Sequence, residues 1–92
     1  MSTTLLVQHT VENFEDWKLG FDAHDSARRL HGGQGHRVLR DGNDVTVLIT
    51  FDSRSGAEAF TADPSLKEAM AKAGVVSAPS IAFLESVEDV SY

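Results

Sequence analysis

The sequence predicts an α+β domain of the ferredoxin-like kind, β-α-β-β-α-β, with one four-stranded antiparallel sheet, and three observations carry that prediction. Four separate stretches are apolar or alternate with a period of two. Between the first and second of them, and again between the third and fourth, the apolar spacing changes to that of a helix. Glycine, proline and Asx-rich punctuation falls at the changes of period.

The first strand is expected over residues 3–11, with Leu5, Val7, His9 and Val11 on one face and Leu6, Gln8 and Thr10 on the other. Leu5-Leu6-Val7 is apolar on both faces, as in an interior strand covered from both sides. Asn13 offers an N-cap, and Asp16 sits where the first turn of a helix favours an acid. The first helix is expected from about Phe14 to His31, with Phe14, Trp17, Phe21, His24, Arg28 and His31 along its inward face. Gly32-Gly33 supplies a left-handed C-cap.

Residues 35–41 make the second strand, with His36, Val38 and Arg40 on one face and Arg37 and Leu39 on the other. Asp41-Gly42-Asn43-Asp44 is a hairpin turn, and Val45 to Phe51 form a β-branched, almost wholly apolar third strand. A capping box, Ser55-x-x-Glu58, opens the second helical region, in which Ala57 and Phe60 face inward. Asp63-Pro64 restarts it, with Leu66, Met70 and Ala73 in one stripe and Gly74 as terminator. Pro79 cannot sit in a central ladder, so the last strand runs from Ser80 to about Val87. In this arrangement the first and third strands lie in the middle of the sheet and both helical regions cover one face.

Bulk properties narrow the function. With 92 residues the chain is read as one domain, residues 1–92, and its hydrophobic fraction of 41% is that of a folded protein. No stretch reaches the roughly 18 apolar residues of a membrane span. The N-terminus lacks a basic region followed by a long apolar one, so no secretory signal is expected. The absence of cysteine excludes disulfides, thiolate catalysis and cysteine zinc sites, and makes a reducing cytoplasm the expected location. A net charge of −6 argues against nucleic acid as partner. Half of the eight lysines and arginines are nevertheless Arg28, Arg29, Arg37 and Arg40, close in sequence to His31 and His36. They are either solvated charge or a local anion site.

The uncovered sheet face points to a partner. If Val7, Val38, Val47 and Phe83 face the helices, then Leu6, Leu39, Leu48, Ala82 and Leu84 share the other face. That patch is several hundred Å² if left in water, so a homodimer through the sheet face is expected.

His24 and Arg28 are the candidate catalytic pair. Their i, i+4 spacing puts them on the core-facing stripe with Trp17 and Phe21, and burying such groups is costly unless they meet partners or line a partly wet cavity. His24 is a candidate general acid or base, and Arg28 a candidate for binding a carboxylate or stabilising an enolate. The alternative is structural: Arg28 paired with an acid and His24 bonded to a carbonyl. His9 and His36 can reach the same cavity from the sheet. Trp17, Phe21, Phe60 and Met70 are core or the apolar wall of an aromatic-ligand site. The four histidines match no usual zinc spacing. Gly32-Gly33-Gln34-Gly35 follows a helix where a dinucleotide fingerprint follows a strand, so no cofactor is expected.

Two runs carry a resemblance. Asn13-Phe14-x-x-Trp17-x-x-x-Phe21-x-x-His24-x-x-x-Arg28 with Gly32, and Leu66-Lys67-Glu68-Ala69-Met70-x-x-Ala73-Gly74-Val75 with Pro79, resemble small bacterial proteins of the dimeric α/β-barrel superfamily. The group is related to antibiotic-biosynthesis monooxygenase domains, some members being called cyclases in polyketide pathways. The resemblance implies a ferredoxin-like protomer, a sheet-to-sheet homodimer and a pocket between sheet and helices. It implies no catalytic set, because the functional Trp and Asn of the cofactor-free monooxygenases lie at positions other than Trp17. The functional expectation is a cofactor-independent enzyme of specialised metabolism, cyclase- or aromatase-like or monooxygenase-like, acting on a planar, enolisable, polyketide-type substrate. The competing expectations are a non-catalytic homodimer that binds a small apolar or aromatic ligand, and an interaction protein whose helix–sheet interface is only packed core.

Overall fold

Strand β1 (Thr3–Thr10) runs antiparallel between β3 (Asp44–Phe51) and β4 (Ser80–Glu85) in a computed structural model that describes residues 2–92. β2 (Gly33–Asp41) pairs with the other edge of β3, so the order is β2-β3-β1-β4, with β1 and β3 central as the sequence predicts. The helical layer consists of α1 (Phe14–Ala23), α2 (Asp25–Leu30), α3 (Arg54–Ala62) and α4 (Pro64–Lys72).

The period-two pattern fixes which face is buried. Leu5, Val7, Val45, Val47, Ile49 and Phe51 project into the helix-side core, where Trp17, Ala57, Phe60, Leu66 and Ala73 meet them. Full burial of each large side chain there contributes about 1.5–3 kcal/mol. On the other face Leu6 pairs with Leu48 and Ala82, while Leu39 and Leu84 are 41% and 45% exposed. These are the five apolar residues expected there.

The first helical region departs from one continuous helix. It breaks at His24, which caps the end of α1 and the start of α2. The carbonyl of Phe21, which pairs with residue 25 in an unbroken helix, accepts from His24 N–H at 3.2 Å and from the Arg28 guanidinium at 2.8 Å. Asp25 and Ser26, weak helix formers in mid-helix, follow the break. The inward stripe survives, because α2 keeps Arg28 buried and His31 half-buried.

Three boundaries also differ. Ser53, not Ser55, caps α3, accepting from Gly56 N–H at 3.1 Å, and Glu58 lies 3.6 Å from Arg54 as an ion pair. The backbone of Asp52 is tied to the Gly32 carbonyl at 3.1 Å, which sets the chain entering α3 two residues earlier than the box motif does. β2 starts at Gly33, with a bulge that leaves Gln34 out of register. β4 ends at Glu85, opposite Thr3, and not at Val87, with one further bond from Ser86 N–H to the Ser2 carbonyl at 3.4 Å. Elsewhere the punctuation acts as read: Gly32 and Gly74 hold positive φ after α2 and α4, and Asp63 caps α4 with Pro64 in its first turn.

Candidate functional site

The helical layer does not close completely on the sheet. Val7 and Val47 floor a cavity of about 40 Å³, and His9 stands on the same sheet face. Trp17, Gly20 and Phe21 of α1, His24 at the helix break, Arg28 of α2, Phe60 of α3, and Leu66, Ala69, Met70 and Ala73 of α4 complete the wall. Seven candidate residues thus border one space: His24, Arg28, Trp17, Phe21, His9, Phe60 and Met70. His36 does not. It is exposed, stands edge-on to Phe21 with ring centroids 4.9 Å apart, and borders a separate polar pocket beyond Arg28.

The aromatic wall is ordered by α1. Trp17 stacks on Phe21 at 5.1 Å, one helical turn along, and His9 meets Trp17 edge-on at 5.5 Å. His9 is 7% exposed, and its Nδ1 has no hydrogen-bond partner among the described residues. Burial holds its pKa below the usual imidazole value, weakly opposed by its own backbone.

Arg28 is 4% exposed. One guanidinium nitrogen donates to the Phe21 carbonyl, a second lies 3.6 Å from Asp25, and Nε is buried without a partner. The guanidinium carbon sits 3.8 Å from the Phe21 ring centroid, a cation–π distance. Arg28 is therefore anchored to the Phe21 carbonyl and beside Asp25, as the structural alternative has it, yet most of its N–H donors, Nε among them, have no hydrogen-bond partner among the described residues.

His24 Nε2 lies 3.0 Å from the Ser65 hydroxyl. Its pKa is depressed, first by burial and then by the Arg28 charge, against a raising effect from Asp63. Asp63 itself is held down to about 2, first by its hydrogen bond with His31 at 2.9 Å and then by Ser65. A short chain of polar contacts therefore links His24, through Ser65 and Asp63, to His31.

The sequence reading missed Gly20, Ser65, Leu66, Ala69 and Ala73 as wall or supporting residues. Ser65 reads only as part of a helix start, and the others depend on α4 lying against α1. The arginine cluster does not converge: Arg37 shares the outer sheet face with Leu48, Arg40 stacks on Phe14 at 4.2 Å, and Arg29 is exposed and paired with Asp25. No group of three or more His, Asp or Glu is placed to hold a metal among the described residues. No described helix is long and apolar enough to cross a membrane.

The four-stranded ferredoxin-like fold is that of antibiotic-biosynthesis-monooxygenase-like proteins, solved structures of which superpose on nearly the whole chain. SnoaB, a cofactor-independent oxygenase from Streptomyces nogalater, matches with a TM-score of 0.79 at 12% identity, over 99% of this chain and 98% of its own. The ActVA-Orf6 monooxygenase of Streptomyces coelicolor, solved with nanaomycin D, gives 0.72 at 16% identity over 99% and 92%. A candidate antibiotic biosynthesis monooxygenase from Caulobacter crescentus gives 0.74 at 17% over 95% and 91%. At these identities the likeness is one of fold. No family model matches the sequence, and no curated protein matches it.

Proposed function

We propose that residues 1–92 act as one domain, a cofactor-independent small-molecule enzyme that deprotonates a planar, enolisable, polyketide-type substrate, with oxygenation as the reaction. The observation that carries this reading is the convergence of His9, His24 and Arg28 on one otherwise apolar cavity, with Arg28 Nε and His9 Nδ1 buried and without hydrogen-bond partners among the described residues. Each such atom costs about 1–3 kcal/mol while unpaired, and a ligand pairs it only once the helices part to expose it.

His24 is neutral near pH 7, because its pKa lies below the ordinary value, and so serves as base. It takes the proton from an acidic C–H of the substrate, and Arg28 stabilises the resulting enolate oxygen. The carbanion reduces dioxygen and is captured by it as a hydroperoxide. Loss of water then converts the CH2 group to C=O, with one oxygen atom retained and the other leaving as water. Trp17, Phe21, Phe60 and Met70 hold the ring. The oxygenase and monooxygenase that share the fold support oxygenation over cyclisation. Cyclisation shares the deprotonation step and differs in needing no oxygen.

A cavity of about 40 Å³ has room for two or three waters. An apolar cavity needs roughly 150 Å³ to take up benzene. Substrate entry therefore requires α1 and α4 to part. An open groove of about 430 Å³ lies over that seam and shares Gly20, His24, Ala69 and Ala73 with the cavity.

The uncovered leucines of the sheet support a homodimer, and the lack of cysteine suits a reducing, cytoplasmic setting. A non-catalytic ligand-binding homodimer is the second reading, favoured by the anchoring of Arg28 to Phe21 and Asp25. The deciding experiment offers an anthrone to the purified protein and follows oxygen uptake and quinone formation against the buffer rate. Oxygen-dependent acceleration lost in His24→Ala supports the enzyme. Binding without acceleration leaves the carrier reading, conversion without oxygen uptake points to cyclisation, and neither binding nor conversion sinks the pocket.

A further inference from the structure

Behind Arg28 lies a second recess, of about 190 Å³, between α2 and the bulged start of β2. It differs from the cavity in character: Asp25, Arg29, Gln34, Gly35 and His36 border it. Among the described residues, Arg28 alone borders both spaces. We propose that this recess is a carboxylate subsite, so that the ligand is a planar apolar carboxylate with its ring system in the cavity and its anionic end on Arg28, the partition between the two spaces, which turns aside to let one ligand span them. The proposal rests on the cavity being a ligand site, and it adds the class of ligand.

Three observations support it. First, the Arg28 side chain is nine-tenths buried, and its buried Nε has no partner. The guanidinium carries five N–H donors, and only the bond to Phe21 is within hydrogen-bond distance, since the Asp25 contact is 3.6 Å. A carboxylate accepts from such a planar fork in two parallel bonds.

Second, the local charge has the right sign and size. Asp25 is already engaged by Arg29, Nε to Oδ2 at 2.6 Å. The two arginines and one aspartate that border the recess sum to about +1, and Asp22, near enough to act on Arg28, reduces the field further, which suits a monoanion better than a phosphate dianion. The surroundings are acidic, with the chain at −6, so this recess is an exception to the overall field.

Third, the bulge makes room. The β2–β3 register skips Gln34, which borders the recess, and the neighbouring Gly35 adds no side chain. A Cβ built on Gly35 meets nothing within 4 Å, so the space beside the bulge is open.

The test compares naphthoate with its neutral analogue naphthamide, by calorimetric titration of the full chain. Naphthoate is expected to bind at least about tenfold more tightly, the effect of a charge-assisted bond. Gly35→Asp places a carboxylate in the open space and leaves residue 28 an arginine. It should weaken naphthoate by about tenfold or more while leaving naphthamide within about twofold, and Gly35→Ala should change neither. Equal binding of the two probes by the unaltered chain, with the neutral one bound, removes the subsite and leaves the cavity reading standing. A naphthoate preference that survives Gly35→Asp, or a Gly35→Asp effect equal for both probes, also overturns the subsite. If neither probe binds, the subsite and the cavity reading fall together.

Discussion

The Arg28 guanidinium lies 3.8 Å from the centroid of the Phe21 ring and donates to the Phe21 carbonyl at 2.8 Å. One residue thus receives the cation on its ring face and satisfies it through its backbone, at the point where α1 gives way to α2. Removing Arg28 leaves that carbonyl with the longer His24 N–H bond alone, loses a charge-assisted hydrogen bond of about 1.5–3 kcal/mol, and loses a desolvated cation–π contact of about 1–2 kcal/mol. Arg28→Ala is expected to lower unfolding stability by about 2–4 kcal/mol, read from urea midpoints. Arg28→Met refills the volume and avoids a buried charge, so its loss should be about half as large. An Arg28→Ala midpoint equal to that of the unaltered chain would mean that the helix break does not depend on this contact.

His24 should behave in the opposite way. It is half-buried, and its polar anchor is a single hydrogen bond with Ser65, so His24→Ala should cost about 1 kcal/mol of stability while abolishing turnover. Because burial and Arg28 depress its pKa, the acid limb of kcat/KM should fall below the usual imidazole value of 6.5. Ser65→Ala frees the ring and should lower kcat with little change in KM. A His24→Ala variant that loses several kcal/mol together with its activity would mark the residue as structural.

Acid should destabilise the protein in two stages. His9, His24 and His36 all have folded pKa values below 6.5, burial being the leading cause for each. Between those folded values and 6.5 the unfolded chain binds more protons, so stability falls as pH drops through that window. Asp63 is held at about 2 against an ordinary 3.8, so its contribution is complete above 3.8 and is lost as pH falls towards 2. His9→Leu removes a buried, unpartnered nitrogen and one titrating group. Its stability relative to the unaltered chain should rise as pH is lowered from about 7 to 5. Parallel urea midpoints for the two proteins over that range would remove His9 from the first stage.

The sequence made these residues legible to different degrees, for physical reasons. A period of two assigns each strand residue to a face without reference to anything else, so Leu6, Leu48 and Ala82 could be placed opposite Val7, Val47 and Phe83. The inward stripe of the first helical region was readable too, since Trp17, Phe21, His24 and Arg28 keep their spacing across the break. The break itself was not, because it involves the Arg28 side chain reaching back to a carbonyl seven residues earlier. Arg28, Arg29, Arg37 and Arg40 looked like one patch because they are near in sequence. A helix, a turn and the two faces of a strand separate them in space. Ser65 and Gly20 escaped notice since their roles depend on α4 packing against α1, a pairing that no single-segment pattern encodes.

The outer sheet face yields a prediction about assembly. Leu6 and Leu48 are directly paired at its centre, flanked by Ala82, with Leu39 and Leu84 more exposed. The protein is expected to sediment as a dimer, and Leu48→Lys should convert it to a folded monomer by placing a charge in the middle of the contact. A monomer before substitution, at micromolar concentration, would refute the expected interface.

The seam between α1 and α4 offers the sharpest steric test. Gly20 approaches Ala73 so closely that an added Cβ would lie 2.8 Å from the Ala73 Cβ. Helix propensity alone favours Gly20→Ala by about 1 kcal/mol. The clash opposes it more strongly, since Ala73 Cβ is fixed to the backbone and cannot swing aside, so a net loss of about 1–2 kcal/mol is expected. Ala73→Gly in the same chain restores the space. The double variant should therefore be more stable than the sum of the two single effects, by about 1 kcal/mol. Because Gly20 and Ala73 also border both the cavity and the groove above it, forcing the helices apart should speed the binding of naphthamide in stopped-flow mixing. Gly20→Ala proving more stable than the unaltered chain would show that the helices are not in contact there, and the proposed entry route would lose its basis.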